Sequence, residues 1–447
     1  MLRTFSKVSH VGFSIDELRD LMRMVEGFGY KPLLKEARDF LWKSAGIPEA
    51  AIADEYPSRR DISVDYMEAM CGELYVDGNS IAVLSAEGGF FSEHDFESLT
   101  VSFMSIDDCE IHAKFTKFSE AVLECARRVL KKRDEELSSL QWADRSSHEE
   151  ADEEGNDEEE QFGRAVLESA YVVGAQAIAK SKLQKLLIEI SQAGFARARD
   201  LLSRRRSGGA YKDALVQFSE AGVVRTDQVI ECKANGSPLC RIDNQSEAIP
   251  DSVLNLVCVG CNRSYRSENF TEGYALTELG KKLVVKSHWL TVWATDQLVT
   301  LGIPLDVIKW NVHDGSEEVD IILDYYGKKW IFELKDKEFG GGDAHALNYR
   351  QVRYQADKAI IFTTEKISAD AKKIFSEVSK QRLDDDKSVF VFVEGIENFP
   401  AVMGREFSVA AYDVMKKRVT DVGGGVGFKL APIIEAKYEA YIIKQAP

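Results

Sequence analysis

Two apolar segments joined by Tyr326-Gly327 constrain the fold of this chain more than any other feature of its sequence. The segments at 319–325 and 329–334 are rich in the aliphatic and aromatic residues that strands prefer. A glycine at the second position of a two-residue loop is typical of the tight turn in a β-hairpin. The pattern therefore predicts two adjacent antiparallel strands inside an α/β domain.

Two acidic residues take facing positions in this predicted hairpin. A two-residue loop pairs Asp320 with Glu333, because both are equally far from the loop. Side chains alternate along a strand, so Glu333 and Lys335 share one face while Phe332 and Leu334 point to the other. Glutamate and lysine are rarely buried deep in a domain unless they are paired or functional.

Two carboxylates about 5 Å apart repel each other unless a positive charge lies between them. Hard oxygen ligands favour Mg2+ or Mn2+, and we predict Asp320, Glu333 and the carbonyl of Leu334 as the ligands. Lys335 would lie beside the metal, where its ammonium can hold the attacking water or offset charge on a phosphate. These residues therefore predict metal-assisted hydrolysis of phosphodiester bonds, with Asp320, Glu333 and Lys335 as catalytic residues.

The same residues resemble the active-site motif of the PD-(D/E)xK nuclease superfamily. Asp320 begins one strand, Glu333-x-Lys335 lies on the next, and a helix–strand–helix–strand pattern follows. The segment 359–375 is also similar to the Mrr-like branch, in which a strand ends in Thr-Thr before a helix. The resemblance covers residues 289–399 of the 447 and implies a restriction-endonuclease-like αβα core.

The resemblance also implies that the helix after the second strand adds a polar residue to the site, and we assign this role to Gln351. The sequence departs from the family at two positions. Val319 stands where the motif usually has proline, and Thr291 replaces the acid of a Trp-Leu-Glu signature found in nucleases linked to CRISPR defence. The second departure weakens the case for a second metal ion.

Four of the seven cysteines fall within thirty residues. Cys258-Val-Gly-Cys261 has the spacing of a zinc knuckle, and Cys232 and Cys240 can complete a site of four thiolates. The seven residues between Cys232 and Cys240 are more than a standard knuckle has. We therefore predict structural Zn2+ in an irregular zinc ribbon, with a reduced cysteine cluster without metal as the alternative.

The predicted fold class is a multi-domain α/β and α+β protein. Its predicted parts are an N-terminal α+β domain (1–140), an acidic linker (141–161), a helical region with a winged-helix-like segment and the zinc ribbon (162–286), the nuclease domain (287–400) and a C-terminal extension (401–447).

Charge limits the function only loosely. The formal net charge is −17, but the segment 148–161 alone carries nine acidic residues and no Lys or Arg, so the rest of the chain carries −8. That balance argues against a protein coated with nonspecific nucleic-acid-binding surface, yet it allows local basic patches. The sequence has no apolar run of about 18 residues and no signal peptide pattern, which predicts a cytoplasmic protein with no membrane partner.

The function predicted from the sequence is a Mg2+-dependent endonuclease that cuts DNA, as a restriction or antiviral defence effector. RNA is the less favoured substrate, and the sequence leaves open a homodimer or a partner protein. The alternative is a binding module whose nuclease fold is catalytically inactive. This module would bind a nucleic acid or a protein, and the zinc ribbon would present Arg263, Tyr265 and Arg266 to DNA.

Overall fold

The computed structural model describes residues 2–36, 68–77, 80–89, 96–106, 110–132, 140–144, 163–203, 208–242, 249–314, 317–381 and 389–425, together with 432, 435 and 438. The acidic segment at 148–161 lies outside these residues. Over the described residues the chain is a mixed α/β protein with several sheets, which confirms the general fold class predicted from the sequence.

The strands in chain order are β1 Leu2–Ser9, β2 Glu68–Asp77, β3 Ser80–Gly89, β4 Ser98–Ile106, β5 Ala143–Asp144, β6 Gly163–Arg164, β7 Ala196–Arg197, β8 Val224–Glu231, β9 Pro238–Ile242, β10 Asn269–Leu276, β11 Ile308–Asp314, β12 Glu317–Tyr325, β13 Lys328–Lys335, β14 Lys358–Thr363 and β15 Phe390–Glu394.

The helices are α1 Ile15–Gly27, α2 Ile111–Val129, α3 Ser169–Ser181, α4 Gln184–Ala193, α5 Ala198–Leu202, α6 Gly208–Glu220, α7 Asp251–Leu254, α8 Glu278–Val284, α9 His288–Thr300, α10 Gly341–Arg353, α11 Ala369–Gln381 and α12 Phe399–Gly425. Among the described residues, none of these helices has both the length and the apolar composition needed to cross a bilayer.

The chain divides into two compact units. The first comprises Met1–Asp157, Asp324–Lys328 and Ala401–Pro447, and the second comprises Glu158–Leu323 and Lys329–Pro400.

The first unit is built on an antiparallel sheet with strand order β2-β3-β4-β1-β5. Because side chains alternate along a strand, neighbouring residues cover opposite faces of this sheet. Leu84 and Phe103 pack in the cluster formed with α1 and α2. Val83 and Met104 pack on the other face with Met415 of α12. Strand β5 falls in the first residues of the predicted linker and pairs with β1.

The central part of the second unit combines helices α3 to α6 with an antiparallel sheet of order β7-β10-β8-β9. Helix α8 follows β10 directly and packs against the start of β8. Its Gly280 is required there, because an added Cβ would come within 2.1 Å of the Val223 carbonyl oxygen. The hydroxyl of Thr277 caps this helix by accepting a hydrogen bond from the backbone N–H of Gly280.

The remaining part of the second unit is a sheet with strand order β15-β14-β13-β12-β11-β6. Strands β13, β14 and β15 are parallel, and helices α10 and α11 form the crossovers between them. Leu347 of α10 and Phe375 of α11 pack with Ile331 and Ile361 on one face of the sheet. On the other face, Trp293 of α9 packs against Phe362.

Candidate functional site

Strands β12 and β13 are joined by the two-residue turn that the sequence predicts. Strand β12 ends at Tyr325 and β13 begins at Lys328. The two loop residues both have positive φ, 57° at Tyr326 and 64° at Gly327, which is the backbone of the turn that matches strand twist in hairpins. Strands β12 and β13 are neighbours in the sheet, and Asp320 and Glu333 are equally far from this loop.

The Asp320 carboxylate lies beside the backbone that carries Glu333 and Lys335. Its Oδ2 accepts a hydrogen bond from the backbone N–H of Leu334 at 2.7 Å. Burial and the neighbouring charge of Glu333 raise the pKa of Asp320 to about 7, although the Leu334 amide and Lys335 oppose the shift. The two carboxylates are thus close enough to repel each other.

Glu333 is only 5% exposed and contacts two cations. Lys335 Nζ lies 2.9 Å from its Oε1, and an Arg350 guanidinium nitrogen lies 2.5 Å from its Oε2. Arg350 also donates through Nε to Glu317 at 2.9 Å. Burial is the largest single effect and lowers the pKa of both Lys335 and Arg350. The neighbouring carboxylates together outweigh it, Glu333 with Asp343 and Asp320 around Lys335 and Glu333 with Glu317 around Arg350, so each pKa lies above its ordinary value.

Helix α10 contributes residues that the sequence analysis did not select. Asp343 and Arg350 lie two turns apart on one side of the helix, and Asp343 Oδ1 is 3.6 Å from the Lys335 ammonium. Gln351, the residue chosen from the sequence, shares the buried face with Ala344 and Leu347. Its amide donates to the carbonyl of Ala356 at the end of the helix. Arg350 is therefore the residue of this helix that reaches Glu333.

The end of strand β13 is fixed by Asp336, the residue after Lys335. Its carboxylate accepts hydrogen bonds from the indole of Trp289 at 3.1 Å and from the hydroxyl of Thr364 at 3.2 Å. Trp289 belongs to α9 and Thr364 directly follows β14, so both contacts hold the end of the strand that carries Glu333 and Lys335. Thr291 is buried in the same helix.

A second group of candidate metal ligands lies in the central region. The ligand atoms of Cys232, Cys258, Cys261 and Glu268 all lie within 4.8 Å of one another, so these four residues can hold a metal ion. The Cys261 thiol donates to Glu268 Oε1 at 2.7 Å, and the Lys233 N–H donates to Oε2 at 2.5 Å.

Hydrogen bonds within this group change the acidity of its members. The Glu268 carboxylate, followed by burial, raises the pKa of Cys261 to about 12. The same hydrogen bond, followed by that from the Lys233 amide, lowers the pKa of Glu268. The backbone amides of Asn235 and Ala234 hydrogen-bond to Cys232 and lower the pKa of its thiol despite burial.

Cys240, predicted as a ligand, is not a member of this group. It pairs across the sheet with Ile230, two residues before Cys232. A bulge between Ile230 and Glu231 shifts the register at this point. The Cys240 sulfur lies 3.6 Å from the carbonyl oxygen of Arg241. The fourth member of the group is Glu268, which the spacing of the cysteines does not indicate.

Comparisons with known proteins give no family. No family model matches this chain, and no curated protein matches it. Among solved structures, the chain is similar to the crystal structure of protein VC1899 from Vibrio cholerae, with a TM-score of 0.33 and 12% sequence identity. The similarity covers 54% of this chain and 56% of that one, so it spans just over half the length of the Vibrio cholerae protein. Only the chemistry of the sites therefore bears on the function.

Proposed function

We propose that residues 287–400 form a Mg2+-dependent endonuclease that hydrolyses DNA phosphodiester bonds. The observation that carries the proposal is the juxtaposition of Asp320, Glu333 and Lys335 on two neighbouring strands. Asp320 lies 2.7 Å from the N–H of Leu334, and Lys335 lies 2.9 Å from Glu333. Two hard oxygen donors beside an ammonium are the groups that a divalent cation and a phosphate need.

The carboxylates suit a divalent cation. Burial, and after it the Glu333 charge, raise the pKa of Asp320 to about 7, and a bound cation would oppose both effects by favouring the charged carboxylate. Asp320, Glu333 and the Leu334 carbonyl would hold the ion. The N–H and C=O of one strand residue point to the same neighbouring strand, and that N–H faces Asp320. When bound, Mg2+ lowers the pKa of water and neutralises phosphate charge.

The side chains of the chain itself supply positioning and positive charge. The Lys335 ammonium is partly exposed, so it can donate to an attacking water or to a phosphate oxygen. Arg350 is fixed between Glu317 and Glu333, and it thereby fixes the orientation of the Glu333 carboxylate. Arg350 is a positioning residue in this proposal, while Asp320, Glu333 and Lys335 are catalytic residues. A role in restriction or antiviral defence is proposed from the motif resemblance alone.

Cleavage of defined substrates tests the proposal. The purified full chain is incubated with plasmid DNA, DNA oligonucleotides and RNA of the same sequence, with Mg2+ or Mn2+ and with a chelator. We expect DNA cleavage that requires the divalent cation and is lost in Asp320→Asn. The exposed Glu338→Gln, which removes an equal charge three residues after Lys335, should cleave normally. Cleavage that survives in Asp320→Asn, or intact DNA under all these conditions, would overturn the proposal.

A second candidate function is a binding module in which the nuclease fold is inactive. Lys335 and Arg350 already neutralise Glu333 without a metal ion, which favours this alternative. The central region also resembles a winged helix, because α4, β7, α5, α6, β8 and β10 follow in order and β10 pairs with both β7 and β8. DNA binding by the wild-type chain without cleavage, unchanged in Asp320→Asn, would support it.

Zinc is the ion that we propose for the cysteine cluster. Thiolates favour soft or borderline ions, and Zn2+ binds thiolates together with histidine or carboxylate ligands. Cys232 and Cys258 are each 1% exposed, and a closed four-ligand site of this kind is structural.

A further inference from the structure

We infer that Glu268 is the fourth ligand of this zinc ion, and that Asn235 occupies the place where a fourth cysteine would stand. This inference rests on the proposed zinc binding and is independent of the proposed nuclease activity. Its starting point is that the metal group contains three sulfur atoms and one carboxylate, and leaves out Cys240.

Two loops of the central region repeat the same backbone structure. In the first loop, the carbonyl of Cys232 accepts from the N–H of Gly236 at 2.7 Å, and its N–H donates to Ser237 at 2.8 Å. In the second loop, the carbonyl of Cys258 accepts from Asn262 and its N–H donates to Arg263, both at 2.8 Å. Both loops are therefore knuckles of one geometry, each beginning with a buried cysteine.

The left-handed residue comes at the same position in both knuckles, with φ of 71° at Gly236 and 60° at Asn262. Glycine and asparagine are the residues that adopt this conformation most readily. Superposing the loops by their hydrogen bonds makes Cys232 equivalent to Cys258, and Asn235 equivalent to Cys261. The first knuckle thus has the backbone for a second cysteine but carries an asparagine there.

Asn235 lies at the position that a ligand would need. Its side-chain nitrogen is 3.6 Å from the place that a Cβ of Gly260 would take, and Cys258 Sγ is 3.8 Å from that same point. The side chain therefore borders the cluster. An amide is not among the usual zinc ligands, so the site needs a fourth donor from elsewhere.

The pairing of β8 with β10 supplies that donor. Asn269 pairs with Glu231, so the preceding residue, Glu268, comes opposite Cys232. Glu268 is 5% exposed, and its carboxylate reaches the Cys261 sulfur. Burying a carboxylate beside three cysteines is costly without a cation, and Zn2+ balances both the carboxylate and the thiolates.

The distances agree with a small tetrahedral site. A Zn–S bond of about 2.3 Å implies ligand atoms roughly 3.8 Å apart around a tetrahedral ion. The four ligand atoms lie within 4.8 Å of one another, so a contraction of the cluster by about 1 Å is enough to hold the ion.

Metal content and affinity give the first test. The full chain, purified without affinity-tag metals, is analysed for zinc, and its affinity is measured by competition with a chromophoric chelator. We expect one zinc per chain in the wild type and in Cys240→Ser. Glu268→Gln should bind zinc at least about 10-fold more weakly, because it loses a direct ligand.

Cobalt substitution gives the second test, and its first readout comes from the wild-type chain. The intensity of the sulfur-to-cobalt absorption reports the number of thiolates bound to Co2+. We expect three thiolates in the wild type and in Cys240→Ser. We expect four in the double variant Asn235→Cys with Glu268→Gln, because the cysteine would restore the complete first knuckle.

The results of these two tests distinguish the proposed zinc binding from the proposed set of ligands. A wild-type chain without zinc would overturn both the zinc ion and its ligand set. Zinc that is lost in Cys240→Ser and kept in Glu268→Gln would overturn the ligand set alone, as would a four-thiolate cobalt spectrum in the wild type. Three thiolates in the wild type and a fourth gained with Asn235→Cys would support the inference.

Discussion

The site on strands β12 and β13 and the site in the two knuckle loops each contain a buried carboxylate, Glu333 in the first and Glu268 in the second. The two carboxylates differ in the groups that contact them. Glu333 is neutralised by side chains, because Lys335 and Arg350 both contact it. Glu268 accepts hydrogen bonds from a thiol and a backbone amide, and among the residues that the structure describes no Lys or Arg forms an ion pair with it. Protein side chains alone therefore balance the Glu333 charge. We expect a metal ion to stabilise the site around Glu268 much more than the site around Glu333.

Replacing Lys335 has the largest expected effect. If the ammonium positions water or phosphate, Lys335→Ala lowers the rate of Mg2+-dependent cleavage about 100- to 1,000-fold. Lys337 is the matched control, because it is exposed two residues further on. Single-turnover cleavage of a labelled DNA duplex measures both variants. Equal cleavage rates for Lys335→Ala and Lys337→Ala would show that Lys335 has no role in catalysis.

Zinc removal and Mg2+ removal should lower the melting temperature by different amounts. Stripping zinc from the wild type should lower the Tm of the central region by about 10 °C, because ligation stabilises only the folded state. Removing Mg2+ should lower Tm by less than about 3 °C, because Lys335 and Arg350 already neutralise Glu333. Differential scanning calorimetry measures both shifts. A larger decrease in Tm on removing Mg2+ than on removing zinc would contradict this prediction.

The ion pair of Arg350 with Glu333 gives a smaller effect. Both side chains are mostly buried, at 16% and 7% exposure, so Arg350→Leu should lower the free energy of unfolding by about 3 kcal/mol in metal-free buffer. Adding Mn2+ should restore part of this loss by replacing the missing positive charge. Arg353→Leu, on the exposed side of the same helix, is the control for urea unfolding. A loss equal to that of Arg353→Leu would show that the pair does not stabilise the fold.

The pH dependence of the metal-free chain should be the smallest effect. The pKa of Asp320 is raised by burial and Glu333 from 3.8 to about 7, so the folded chain binds more protons than the unfolded chain between these values. The contribution of Asp320 to stability is thus present at low pH and is lost as pH rises towards 7. Because Asp320 is partly exposed, we expect a loss of about 1–3 kcal/mol.

Urea unfolding at pH 5 and pH 8 measures this contribution in the wild type and in Asp320→Asn. The loss of wild-type stability between pH 5 and pH 8 should disappear when Mn2+ is present, because the ion favours the charged carboxylate. A wild-type chain that gains stability relative to Asp320→Asn at pH 8 without metal would contradict the assigned shift.

Local periodicity explains which residues could be predicted from the sequence. The alternation of side chains and the two-residue turn were enough to bring Asp320, Glu333 and Lys335 together. Arg350 was missed because choosing a helix face requires knowing which stripe is buried. Gln351 shares the buried stripe with Ala344, and this stripe is set by packing on the sheet.

The place of Glu268 in the cysteine cluster could not be predicted from any local sequence pattern. Glu268 reaches Cys232 only through the pairing of β8 with β10, which joins segments far apart in the chain. The spacing of the cysteines pointed to Cys240 instead, which is not a member of the group. The repeated form Cys-x-x-Asn-Gly and Cys-x-x-Cys-Asn is visible in the sequence, but its meaning requires the matching backbone hydrogen bonds.

Anomalous scattering from a crystal of the chain soaked in Mn2+ tests the nuclease site most directly. We predict a manganese peak between the carboxylates of Asp320 and Glu333, with at least one cation moved away from Glu333, and no such peak in Asp320→Asn. The contrary result is a soaked crystal without manganese at this position, in which Lys335 and Arg350 both remain on Glu333.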